Sequence, residues 1–147
     1  MEETEVISKE FEIMGGDFIN GGSVSCRIKN ILKEIGIDAE IIRRVAIAAY
    51  EAEMNVVMYA KKAIMKLVLT PHRLFIKVDD EGPGIPDIEL AMQPGYSTAT
   101  PEMREMGFGA GMGLPNIKKN ADNFNITSVV GKGTSLEIIV NLNSKNA

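Results

Sequence analysis

The sequence predicts an α+β sandwich in which helices pack on one face of a mixed, mostly antiparallel sheet. Two observations lead to this fold class. The predicted elements follow the order strand, helix, helix, two strands, long loop, helix and two strands, without an internal repeat. The 147 residues are 45% hydrophobic and 24% charged, which is ordinary globular usage, so we expect one domain over residues 1–147.

Charge and rare residue types exclude several classes of function. A net charge of -4 gives no electrostatic footprint for nucleic acid or for an anionic membrane. Cys26 and His72 are the single cysteine and histidine, which excludes an intrachain disulfide and a two-histidine metal motif. The longest apolar run, 45–50, is too short to span a membrane, and the acidic N-terminus has no secretory pattern. We therefore expect a cytoplasmic protein with neither nucleic-acid nor membrane partners.

The first part of the chain predicts one strand and two helices. Residues 5–14 alternate as a strand with one apolar face. Ser23 is a candidate cap for the first helix, which Gly36 ends. Asp38 caps a longer helix over 39–61, whose apolar stripe is Ile41, Val45, Ala48, Ala52, Val56 and Tyr59.

Four strands are predicted in the second part. Residues 63–69 and 74–80 are joined by a tight turn at Thr70-Pro-His-Arg73, and residues 125–130 and 135–142 form a closing hairpin.

The segment between these two strand pairs has a different composition. Residues 81–113 are rich in Gly, Pro, Ser, Thr and Met, with a brief helical signal at 88–92. This stretch is too long for a plain connection in a compact domain, so we expect a functional loop or lid. A helix over 114–123 follows it.

Glu51 and Asn55 are four residues apart on the predicted long helix, so their side chains share a face. A carboxylate beside a neutral amide can combine a general base with an oxygen ligand for magnesium. An ordinary solvated helix face is the alternative, because polar pairs at this spacing are common.

Asp80 ends a predicted strand and opens the sequence Asp-Glu-Gly-Pro-Gly. Gly82 and Gly84 allow the backbone to approach a flat ligand closely, and the carboxylate can accept a hydrogen bond from an exocyclic amine. The alternative is an ordinary turn after a strand.

Four alternating glycines at 107–113 lead directly into a predicted helix. Free backbone N–H groups and the positive helix end then converge, an arrangement that binds phosphate. The run fits neither the dinucleotide fingerprint, whose third glycine falls on Met112 or Leu114, nor a Walker A loop. A flexible linker is the alternative. Arg104 in the same segment can reach a transferring phosphate or remain solvated.

The order and spacing of these motifs resemble the GHKL ATPase and kinase superfamily. Glu51-Ala-Glu-Met-Asn55 resembles its N box, Asp80-Glu-Gly-Pro-Gly84 its first glycine box, and Gly107–Gly113 its second. Gly131-Lys-Gly-Thr134 resembles its short box near the C-terminus. The flanking elements fit the Bergerat fold, so the resemblance covers nearly the whole chain.

Within the superfamily the sequence is similar to the small bacterial anti-sigma-factor serine/threonine kinases of the RsbT, RsbW and SpoIIAB type. Segments 84–88, 94–98 and 109–115 resemble the RsbT branch. Segment 100–108 resembles the lid of the RsbW and SpoIIAB branch. The resemblance implies an ATP lid at about 94–113.

The resemblance also implies roles for individual residues. Glu51 would act as the base toward the attacking hydroxyl, and Asn55 would hold Mg²⁺. Asp80 would bind the adenine amine, Thr134 would join through a hydrogen bond or water, and Arg104 would touch the γ-phosphate. The further ATP- or ADP-binding residues would be Gly82, Gly84, Ile85, Thr98, Gly107, Gly109, Gly111, Met112, Gly113 and Leu114.

These roles imply an ATP- and Mg²⁺-dependent serine/threonine protein kinase that phosphorylates a STAS-domain anti-sigma antagonist in transcriptional regulation. The resemblance implies a sigma factor or downstream phosphatase as a further partner, and pairing into a homodimer through the N-terminal faces. One alternative is a nucleotide-gated module that binds a sigma factor or sensor protein without kinase activity. Another is a detached histidine-kinase ATP domain that acts on a separate acceptor histidine.

Overall fold

The computed structural model describes residues 5–97, 99–101 and 112–142. The strands are β1 (Ile7–Met14), β2 (Lys62–Leu69), β3 (Arg73–Glu81), β4 (Asn123–Val129) and β5 (Gly133–Asn141). The described helices are α1 (Ser23–Glu34), α2 (Ala39–Tyr59), α3 (Ile88–Ala91) and α4 (Gly113–Asn120). The five strands form one sheet in the order β1-β2-β3-β5-β4, and each neighbouring pair is antiparallel. The predicted α+β fold class is confirmed.

The core lies between one face of this sheet and the helices. The register sets Met65 opposite Val78 and Leu67 opposite Ile76, and all four are buried in the cluster that also contains the apolar faces of α1, α2 and α4. The other face of the sheet carries charged pairs such as Lys77 and Glu137. Period-2 alternation therefore directs one set of strand residues to the helices.

Helix α2 crosses the core on a stripe of small residues. Val45, Ala48, Ala49 and Ala52 are each 0% exposed, so the helix backbone packs closely on its neighbours. Its N-cap is as predicted, because the Asp38 carboxylate accepts a hydrogen bond from the N–H of Glu40 at 3.1 Å.

The predicted capping role of Ser23 is wrong. Ser23 is the first residue of α1, and the N-cap is Gly22, in the left-handed region at φ 96° and with no side-chain cap bond. The buried carboxylate of Glu53 on α2 takes that role instead, since it accepts hydrogen bonds from the N–H groups of Val24 at 3.1 Å and Ser25 at 2.9 Å. The first N–H groups of a helix have no intrahelical partners, and anions are favoured beside them.

Two predicted helices end earlier than expected. Helix α2 stops at Tyr59 because Ala60 is extended and leads into β2. The helix predicted over 114–123 stops at Asn120, and Ala121 is extended ahead of β4. Within the described ranges, no helix combines the length and hydropathy that a membrane span requires.

Candidate active site

A cavity of about 540 Å³ opens between α2, the end of β3, the start of α4 and β5. Its volume lies within the usual range for small-molecule sites. The predicted residues that line it are Glu51, Asn55, Asp80, Gly84, Ile85, Met112, Gly113, Leu114 and Thr134. The cavity thus brings together residues from four separate elements that lie up to 83 positions apart in the sequence, from Glu51 to Thr134.

Gly82 is the one described site prediction that does not line this cavity. Its N–H donates to the carbonyl of Lys132 at 3.1 Å, and a Cβ atom placed on it would lie 3.1 Å from Cα of Ala60. Gly82 thus supports the wall rather than facing the space inside it.

One end of the cavity is formed by α2 and the start of α4. A Cβ atom placed on Gly113 would lie 3.3 Å from Oδ1 of Asn55 and 3.6 Å from Oε1 of Glu51. Both polar side chains therefore lie beside the first residue of α4, where the positive end of a helix favours anions. The other carboxylate oxygen of Glu51, Oε2, accepts a hydrogen bond from Nδ2 of Asn116 at 3.1 Å.

Asp80 and Thr134 form the opposite polar group. Oδ1 of Asp80 accepts a hydrogen bond from the N–H of Thr134 at 2.9 Å, while its Oδ2 has no hydrogen-bond partner within the described ranges. Burial raises the pKa of the Asp80 carboxyl; the Thr134 N–H opposes this shift, and the nearby charge of Asp79 adds to it. Asp80 thus offers a half-buried acceptor to a ligand.

Close backbone approaches explain two glycines around Asp80. Gly84 has φ +77°, and a Cβ atom on it would lie 2.5 Å from the carbonyl oxygen of Val129. A Cβ atom on Gly133 would overlap the carbonyl oxygen of Asp80, so this glycine lets β5 bring Thr134 to the carboxylate.

Ser128 on β4 links three parts of this end of the cavity. Its hydroxyl accepts a hydrogen bond from the N–H of Ile85 at 2.7 Å and lies 3.1 Å from the Gly133 carbonyl and 2.9 Å from the Thr134 hydroxyl. Sequence reasoning missed both Ser128 and Asn116. Two features of the sequence could have indicated them: Ser128 is a hydroxyl residue next to the hairpin turn, and Asn116 is an amide residue three positions after Gly113.

The donor set is compatible with Mg²⁺ only if a bound nucleotide supplies further oxygens. The described residues contain no group of three or more His, Cys, Asp or Glu side chains that could hold a metal ion. Asn55 lines the cavity, and its amide makes no hydrogen bond to another described residue. Mg²⁺ keeps several waters and binds few protein ligands beside phosphates, so a single amide oxygen fits that role.

Several predicted ATP-binding residues lie outside the described residues. They are Thr98, Arg104, Gly107, Gly109 and Gly111. The predicted lid over 94–113 is described only at 94–97, 99–101 and 112–113. These assignments stay predictions.

Comparisons with known proteins identify the family of this chain. Residues 23–140 match the model of the histidine kinase-like ATPase domain. The serine/threonine-protein kinase RsbT of Bacillus subtilis is 35% identical over 115 residues, which cover 76% of this chain and 80% of RsbT. An anti-sigma F factor of Thermoanaerobacter is 33% identical over 96 residues, covering 65% of this chain and 59% of that relative.

A solved structure is similar in fold. The RsbU and RsbW domains of a Mycobacterium tuberculosis protein superpose with a TM-score of 0.58 at 17% identity, covering 91% of this chain and 32% of that chain. The family match spans most of the sequence, and the predicted resemblance is confirmed. RsbT and anti-sigma F factors are among the relatives of this chain. The chain therefore belongs to the histidine kinase-like ATPase family, which is the GHKL superfamily that its sequence motifs resemble.

Proposed function

We propose that this chain is an ATP- and Mg²⁺-dependent serine/threonine protein kinase of the anti-sigma-factor type. The observation that supports it is the arrangement of one cavity, with Asp80 and Thr134 at one end and Glu51, Asn55 and Gly113 at the other. A kinase needs both a nucleotide site and a base beside the phosphate end of that site.

The Asp80 end suits the base of the nucleotide. Its free carboxylate oxygen can accept a hydrogen bond from the exocyclic amine of adenine, while the Thr134 hydroxyl can donate directly or through water. Apolar side chains such as Ile85 and Leu136 line the same cavity and can contact the flat faces of the ring.

The Gly113 end suits the phosphates. The first N–H groups of α4 lack intrahelical partners, and the amide oxygen of Asn55 beside Gly113 would hold Mg²⁺. When bound, Mg²⁺ would neutralise charge on the phosphate oxygens.

Glu51 then acts on the acceptor hydroxyl. Its carboxylate takes the proton of a serine or threonine, the hydroxyl oxygen bonds to the γ-phosphorus, and the bond to the leaving ADP oxygen breaks.

The rim of the cavity supports a protein acceptor. Tyr50, Tyr96 and Met112 line the cavity and are 41%, 41% and 40% exposed, so its rim presents large side chains to a partner protein. Because two relatives are a serine/threonine-protein kinase and an anti-sigma F factor, we propose that the acceptor is a STAS-domain antagonist. A sigma factor or phosphatase would be the alternate partner, in the cytoplasm.

A nucleotide-gated binding module without transferase activity is the second candidate. The anti-sigma F factor relatives favour it, since their name refers to an action against a sigma factor and does not mention phosphoryl transfer. A pure binder has no need for an ordered carboxylate such as Glu51 beside the phosphate end.

Phosphate transfer from labelled ATP to purified STAS-domain proteins tests the proposal. We expect Glu51→Ala to lower turnover by at least about 100-fold while nucleotide affinity stays within about twofold. Transfer at the wild-type rate by Glu51→Ala would show that Glu51 is not the base. A wild-type protein that binds ATP but transfers nothing would favour the binding module.

A further inference from the structure

The carboxylate of Glu51 has one hydrogen-bond partner within the described ranges, and that partner lies on another helix. Nδ2 of Asn116 on α4 donates to Oε2 of Glu51 at 3.1 Å. Oε1 lies on the side of Gly113, 3.6 Å from a Cβ atom placed there, next to Asn55. The bond therefore fixes one oxygen and leaves the other toward the cavity.

Asn116 is itself held in place by a chain of polar contacts. Its carbonyl accepts a hydrogen bond from Nδ2 of Asn120 at 2.9 Å, and the Asn120 carbonyl accepts one from Nε of Arg44 at 3.1 Å. Arg44 also pairs with Asp122 at 3.2 Å. Since Arg44 belongs to α2, this chain anchors the C-terminal end of α4 to the helix that carries Glu51.

A general base must be oriented as well as basic. A glutamate side chain has several rotatable bonds, and misplacement of a reacting group by about 1 Å can reduce the rate about 100-fold. A neutral amide donor can hold the carboxylate without placing a second formal charge beside it. The Asn116 amide can orient the Glu51 carboxylate and adds no formal charge beside it.

We propose that Asn116 is a positioning residue that orients Glu51 for proton abstraction from the acceptor hydroxyl. The proposal rests on the kinase function proposed above. Asn116 lines a smaller groove with Arg43, Arg44 and Lys119 rather than the nucleotide cavity, so it acts through Glu51 and not on the nucleotide.

The competing explanation is that Asn116 merely joins α2 and α4. Its side chain makes no other hydrogen bond among the described residues. Helix α4 has independent anchors in the buried side chains of Leu114 and Ile117 and in the Asn120 carbonyl, which accepts a hydrogen bond from Arg44 on α2. Removal of the Asn116 amide should therefore leave the helix in place.

The test compares Asn116→Leu, Glu51→Ala, the double variant and the wild type. Lys118→Ala, an exposed position on the same helix, is the matched control. Transfer of labelled phosphate to the STAS-domain acceptor gives kcat and the KM for ATP, and calorimetry gives the ATP Kd. Asn116→Ala replaces the leucine variant if leucine lowers the melting temperature.

We expect Asn116→Leu to lower kcat about 10- to 100-fold, with the KM and Kd for ATP within about twofold of wild type. In the Glu51→Ala background the same change should have no further effect, and Lys118→Ala should behave as wild type.

An unchanged kcat in Asn116→Leu would overturn the inference. So would an equal loss in the Glu51→Ala background, or a loss of ATP affinity that accounts for the slower transfer. A wild-type protein that transfers no phosphate would instead overturn the proposed kinase function, and this inference with it.

Discussion

Truncation of the buried Glu53 should strongly destabilise the fold. Glu53 is 1% exposed, and its carboxylate accepts hydrogen bonds of 3.1 and 2.9 Å from the N–H groups of Val24 and Ser25. Hydrogen bonds to charged groups contribute roughly 1.5–3 kcal/mol each, so two give about 3–6 kcal/mol. Relief of the buried charge offsets part of this, and we expect Glu53→Ala to lower the free energy of unfolding by about 3–5 kcal/mol.

Urea unfolding followed by circular dichroism measures this change. Glu53→Gln retains one acceptor oxygen and should cost less than Glu53→Ala. Glu40→Ala is the matched control, since Glu40 pairs with Arg43 at 2.6 Å but both side chains are more than half exposed. We expect the control to change stability by no more than about 1 kcal/mol. If Glu53→Ala were as stable as the Glu40→Ala control, the tertiary cap would not hold α1 in place.

Three further variants test the cavity. Measured by calorimetry, Asn55→Ala should weaken ATP binding at least about tenfold in the presence of Mg²⁺ but hardly change it in EDTA. Equal losses of ATP affinity in both conditions would contradict the role of Asn55 in holding Mg²⁺. Gly133→Ala should lower the free energy of unfolding, measured in urea, by about 1–3 kcal/mol, because the added Cβ atom would overlap the carbonyl oxygen of Asp80. A variant as stable as the wild type would refute this close approach of β5 to Asp80. Asp80 makes the stability of the fold depend on pH. Its raised pKa means that the folded state binds the proton more tightly than the unfolded chain, so this contribution to stability falls as pH rises above about 4. As pH rises, the urea concentration at the unfolding midpoint should therefore fall less steeply in Asp80→Asn than in the wild type. Identical slopes in the two proteins would contradict the raised pKa of Asp80.

Local sequence patterns were sufficient for most of the elements. Period-2 alternation predicts β1, two short segments joined by a tight turn predict β2 and β3, and helical spacing with a capping Asp38 predicts the start of α2. Glu51 and Asp80 were each ambiguous alone, but their order along the chain with the glycine boxes predicted one site, and the structure brings both to one cavity.

The features that sequence reasoning missed depend on contacts between distant segments. Ser23 has the chemistry of a cap, yet Glu53 binds the N–H groups of Val24 and Ser25 from 29 and 28 residues away in sequence. Asn116 meets Glu51 across 65 residues, and Ser128 meets Ile85 across 43. Such pairings follow from the packing of α2, α4 and β4 in three dimensions, and no local periodicity encodes them.

The most direct test of the nucleotide site is calorimetric titration of the full chain with ATP, in the wild type and in Asp80→Asn. Asp80→Asn keeps an acceptor oxygen and the shape of the side chain but removes its charge, so folding should be preserved. We expect saturable binding of ATP to the wild type and at least about tenfold weaker binding to Asp80→Asn. Absence of ATP binding by a folded wild-type protein, or equal affinity in the two proteins, would contradict it.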